Sequence, residues 1–106
     1  MKKIPIPIFK QNLYIADKEH AEKYSGCKDL SQYDAITYQV CEDVYVYFDG
    51  KPSMDTIAHE SVHIANYIID NTGLIYTSKD DELLAYLVGY VFSTIFINLP
   101  TEMKEG

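Results

Sequence analysis

Apolar residues recur along this chain with two different periods, and the change of period near residue 50 divides it into a strand-rich front and a helical back. From residue 52 to 71 the spacing is helical. At about 100° per residue, Met54, Ile57, Ala58, Val62, Ile64, Ala65, Ile68 and Ile69 gather on one broad stripe. His59, Glu60, His63, Asn66, Tyr67 and Asp70 share the opposite side. Pro52-Ser53 supplies an entry with Ser53 as N-cap, Asp55 sits in the electropositive first turn, and Asn71-Thr72-Gly73 supplies the stop. A second long helix is expected from Ser78 as N-cap, with Asp81 three residues later and Asp80, Asp81 and Glu82 compensating the helix dipole. Its run over residues 83–99 is apolar but short for a bilayer, which needs about 20 apolar residues. It also contains Gly89, Ser93, Thr94 and Asn98 and ends at Pro100, so it reads as a core helix.

The front half alternates instead. Residues 4–15 mix isoleucine, phenylalanine, leucine and tyrosine with polar residues, and Pro5 and Pro7 confine them to an irregular or edge strand. Residues 17–24 read as a short helix, 26–34 as turns, and 35–41 and 44–48 as two strands joined by Glu42-Asp43. The expected fold is α+β: a small antiparallel sheet of about three strands packed on two long helices, with one short N-terminal helix, in a single domain over residues 1–106. No repeat or linker interrupts it.

Composition narrows the function. A chain of 106 residues with 47% hydrophobic residues and ten tyrosines has the makings of one folded core, without the separate lobes that build a deep substrate cleft. A net charge of −7 without a basic stripe argues against nucleic acid and anionic membrane as partners. Cys27 and Cys41 have neither CxxC spacing nor an export signal beside them, so thiols and a cytoplasmic location are expected. Surplus apolar surface on the second long helix leaves a homodimer open.

The chemistry is carried by His59-Glu60-Ser61-Val62-His63, an HExxH pentad. Two imidazoles one helical turn apart point from one face and can close on a single metal ion, with the intervening glutamate beside the water that the ion activates. A zinc site needs at least three protein ligands, and Glu82, in the first turn of the second long helix, is the candidate for the third. Glu82, Tyr86, Gly89 and Ser93 share one side of that helix, and their small members would let it pack closely across the first. His20, among Lys18, Glu19, Glu22 and Lys23, reads as solvated and outside the metal site.

The pentad, the eighteen residues 64–81 and then Glu82-Leu83-Leu84-Ala85-Tyr86 resemble the gluzincin group of zinc metallopeptidases, and are similar to the very short metallopeptidases encoded by phages and prophages. The resemblance spans about residues 53–93. It implies one zinc ion on His59, His63 and Glu82, Glu60 as general base, and a zincin-like fold. Tyr86 stands where several relatives carry an acidic residue that orients a histidine, so Asp55, Asp70 or a backbone carbonyl would take that task. Among donors for a developing oxyanion, Tyr86 comes first, then Tyr90, Tyr67 and Tyr76. By analogy, residues 44–48 would pair with extended peptide substrate; the alternative is a structural hairpin whose tyrosines cover a core edge. Two functions follow: a zinc-dependent peptidase acting on a peptide or protein, or a noncatalytic zincin-like module that binds a partner protein.

Overall fold

The computed structural model describes residues 1–7, 9–73 and 81–99. Strands β1 (Lys2–Ile6), β2 (Gln11–Ile15), β3 (Ala35–Val40) and β4 (Asp43–Phe48) form one sheet in the order β1-β2-β4-β3. Helices α1 (Lys18–Tyr24), α2 (Met54–Thr72) and α3 (Asp81–Asn98) complete it, with a short 3-10 turn at Leu30–Gln32. The α+β class stands. The sheet itself has four strands rather than about three, and it is mixed: β1 pairs antiparallel with β2 and β3 with β4, while β2 and β4 run parallel through Leu13↔Val44 and Ile15↔Val46.

The extra strand arises because residues 2–6 pair antiparallel with residues 11–15, where one irregular strand is expected over 4–15. Pro5 is accommodated because β1 is an edge, where a missing N–H breaks no ladder on the outer side. The β3–β4 turn falls at Cys41-Glu42, with Cys41 at φ 56°.

Helix α2 forms where the apolar period predicts it. Ser53 is its N-cap, its Oγ accepting from the Thr56 N–H at 3.1 Å, and Gly73 closes it at φ 75° with its N–H donating to the Asp70 carbonyl. Ser78 lies outside the described residues, so the capping expected for α3 does too. Ile57, Ile64 and Ile68 of α2 are no more than 1% exposed, and with Val44, Val46, Leu87, Val91 and Ile95 they form the main core between the sheet and the two helices. Each such side chain contributes roughly 1.5–3 kcal/mol of transfer free energy. Among the described residues no helix is long and apolar enough to cross a membrane.

The opposite sheet face carries a second, aromatic cluster under α1: Ala21, Leu30, Tyr38, Tyr45 and Tyr47 are all buried. His20 belongs to it and is not simply solvated. Its ring stacks on Tyr45 at 4.4 Å between centroids, and its Nδ1 lies 2.6 Å from the Tyr38 hydroxyl. The tyrosines of β3 and β4 thus cover a core, as a structural hairpin would.

The two long helices run antiparallel. At the end of α2, Gln11 donates to the Ile68 carbonyl and Asn71 donates to both Gln11 and the Glu42 carbonyl. At the start of α3, Tyr86, Leu87 and Tyr90 line a hollow with Ile6, Pro7 and Phe9, at the same end of the sheet. Asn98 lies at the other end, near Ile15 and Phe48. Contact with β3 and β4 on one side of α2 leaves α3 on its other flank.

Candidate metal centre

His59, Glu60 and His63 come together, with ligand atoms within 4.8 Å of one another. The helix accounts for this. The imidazoles project one turn apart from the wet side of α2, with their Nε2 atoms 3.2 Å apart and their rings steeply inclined at 75°. Two nitrogen ligands at about 2.0–2.1 Å from a tetrahedral ion would be about 3.3–3.4 Å apart. The observed 3.2 Å, itself a hydrogen-bond distance between the rings, is close to that spacing. His59 is accessible, its side chain 70% exposed. Among the described residues neither histidine has a hydrogen-bonded partner on Nδ1, so neither Asp55 nor Asp70 orients them.

Glu60 departs from the sequence expectation. It does not share the solvent face with the histidines but is 5% exposed, turned toward the sheet. Thr37 of β3 donates to its Oε1 at 2.9 Å. Its Oε2 makes no hydrogen bond among the described residues and sits 3.9 Å from His59 Nε2. The carboxylate is thus held at one oxygen and available at the other. Thr37 is a residue of this group that sequence reasoning missed; the only trace is a hydroxyl on the same strand face as Ala35.

Beside this group lies an open cleft of about 300 Å³ lined by Asp34, Ala35, Asp55, Thr56, His59 and Glu60. It borders β3, the outer strand of the sheet. The strand expected to meet substrate, residues 44–48, is instead interior, paired by β3 along its length and by β2 at residues 44–46. The parity of β3 is fixed by the Asp49 N–H donating to the Asp34 carbonyl. In an antiparallel ladder, that turns the backbone groups of Ala35, Thr37 and Gln39 outward, to the free edge.

Glu82 and Tyr86 are not brought to this group. Both are exposed, Tyr86 by 62%, and so are Gly89 and Ser93, so the side of α3 expected to pack across α2 faces solvent. Leu87, Val91 and Ile95 pack inward in its place. The physical reason is apolar demand: those three aliphatic residues at four-residue spacing outweigh a stripe of small and polar ones. Axial position matters as well. α2 continues nine residues past His63 to Thr72, while Glu82 stands one residue into α3. At about 1.5 Å rise per residue, those nine residues carry α2 about 13 Å past His63 before the chain leaves it. Of the other donor candidates, Tyr90 shares the hollow of Tyr86, Tyr67 is half-buried on α2, and Tyr76 lies outside the described residues.

No protein-family model matches this chain, and neither a curated protein nor a solved structure matches it.

Proposed function

We propose that this protein is a zinc-dependent hydrolase of peptide bonds, with His59 and His63 holding the ion and Glu60 serving as general base. The observation that supports it is the pairing of two convergent imidazoles with a nearly buried carboxylate that keeps one oxygen free. Held by His59 and His63, zinc would supply a Lewis acid able to acidify water and polarise a carbonyl. The chain's own residues do the rest. Thr37 fixes the Glu60 carboxylate from Oε1, leaving Oε2 to take a proton from attacking water and to return it to the departing amine. The outward groups of Ala35, Thr37 and Gln39 offer an extended peptide a ladder beside the cleft.

With Glu82 placed elsewhere, His59 and His63 fall one short of the three protein ligands that a catalytic zinc takes, and Glu60 is the one further donor grouped with them among the described residues. The zincin-like lineage and the phage or prophage origin belong to the same proposal and rest on the motif spacing. The test is Glu60→Gln, which keeps the Thr37 hydrogen bond and the shape while removing the base. Zinc stoichiometry should be unchanged and cleavage of a peptide library should fall at least about a hundredfold. Equal cleavage by both forms would overturn the role of Glu60. Stoichiometric zinc with no cleavage by the unaltered protein would favour the second reading, a noncatalytic protein-binding module.

A further inference from the structure

The cleft beside the histidines has a sign. Two of its six lining residues, Asp34 and Asp55, are exposed carboxylates, and Glu60 closes its inner end with a free oxygen. A second hollow of about 170 Å³ continues from it, sharing Asp34 and Thr56 and adding Asp49. Lys51 is the one lysine or arginine among the described residues lining either hollow. A low-dielectric wall lined by one sign of charge concentrates field at its mouth, and the net charge of −7 adds to it at longer range.

The acids alone would say little. Two further features mark this as a place where something is received: the nearly buried Glu60 carboxylate, which lines the cleft, has an oxygen with no hydrogen bond among the described residues, and the outer edge of β3 beside it has backbone groups with no strand partner among them. A peptide extended on that edge alternates its side chains, and every second one faces the cleft side, where Ala35 and Thr37 point. A cleft of about 300 Å³ is at the low end for ligand sites, room for one side chain rather than for a large ligand.

We infer that the cleft selects a basic side chain, lysine or arginine, on an extended peptide lying along β3, with Asp34 and Asp55 as its counter-charges. This rests on the proposed function for the nature of the occupant, a peptide, but not on hydrolysis taking place. The ammonium or guanidinium sits at the cleft mouth, where both aspartates remain hydrated and no buried charge is left unpaired. Selection then works both ways. A basic residue gains, and an acidic one at the same position is repelled by Asp34, Asp55 and Glu60 together.

Three blocked hexapeptides, identical except for lysine, norleucine or glutamate at one central position, separate these cases. Titrated into the isotope-labelled 106-residue protein, the lysine peptide should shift the amides of Asp34, Ala35, Asp55 and Thr56 and bind at least about tenfold more tightly than the norleucine peptide. The preference should shrink with added salt and disappear in Asp34→Asn/Asp55→Asn. Equal affinity for the lysine and norleucine peptides, or no shift at those amides with any of them, overturns the inference. Cleavage assays with zinc present keep the two ideas apart. A lysine preference in binding without any cleavage leaves this inference standing and removes the hydrolase, whereas equal cleavage of all three peptides keeps the hydrolase and removes the basic selection.

Discussion

Replacing His63 with alanine separates metal binding from folding cleanly, because the side chain is exposed. Surface substitutions of this kind change stability by about 0.5 kcal/mol or less. Zinc at about one hundred times its Kd, by contrast, stabilises the folded state by about 2.7 kcal/mol. At about 2.1 cal/mol/K of unfolding entropy per residue, the 106-residue chain has about 0.22 kcal/mol/K at its midpoint. The expected zinc-induced rise in Tm is then about 12 °C, against about 2 °C or less from the substitution itself. The 3.2 Å between the two Nε2 atoms means that little of the binding free energy goes into rearranging α2. Scanning calorimetry with and without zinc, beside metal analysis of the dialysed protein, measures both numbers. His63→Ala and His59→Ala should each abolish the rise while leaving the metal-free Tm in place. A rise of the same size in either variant would refute the paired-histidine site.

Glu82→Ala should retain zinc at the stoichiometry of the unaltered protein, since Glu82 is exposed and outside the cluster; loss of the metal would show that the start of α3 reaches the ion after all. Ile64→Ala, at a fully buried position, should cost about 2–5 kcal/mol in urea unfolding, whereas Val62→Ala, 42% exposed two residues earlier, should cost about 0.5 kcal/mol or less; similar losses at both would refute the facing of α2. Burial raises the Tyr38 hydroxyl above its ordinary value near 10, with the neighbouring Tyr45 and Asp17 adding to the effect, and Tyr45 and Tyr47 are raised as well. Above about pH 10 the unfolded chain releases these protons while the folded chain holds them, so stability should fall as pH rises. Equilibrium unfolding from pH 8 to 11 should show that decline, shallower in Tyr38→Phe; an equal slope in both would remove Tyr38 as its source.

The extent of α2 is readable because its signals are local, although Met54, Ala58 and Val62 of its expected inner stripe are exposed. Ser53, Gly73 and the isoleucines at 57, 64 and 68 specify α2 without reference to anything distant. The His59–His63 pair was readable for the same reason, since four-residue spacing on one helix decides it. What could not be read depends on partners far along the chain. The parallel pairing of β2 with β4 joins residues about thirty apart, and no turn signal marks it. The burial of Glu60 required knowing that β3 lies against that flank of α2 and presents a hydroxyl at Thr37. For α3 the difficulty was intrinsic, because a helix apolar nearly all round has no periodic marker of its inner face. Leu87, Val91 and Ile95 turned out to define it, which sent Glu82 and Tyr86 outward.

The facing of the pentad therefore settles which part of the molecule can tune its chemistry. Successive helical positions differ by about 100°, so His59 and Glu60 cannot both face water squarely, and here the glutamate is the one turned inward. Its buried carboxylate would be costly without a donor, and Thr37 is the donor. A strand residue thus controls the orientation of the proposed base, and the same strand presents the free edge along which a peptide would lie. Movement of β3 by a peptide would move Thr37, and Thr37 holds Glu60. The 2.9 Å hydrogen bond from Thr37 is thus one direct link between a peptide on β3 and the proposed base, beside the packing of β3 on α2.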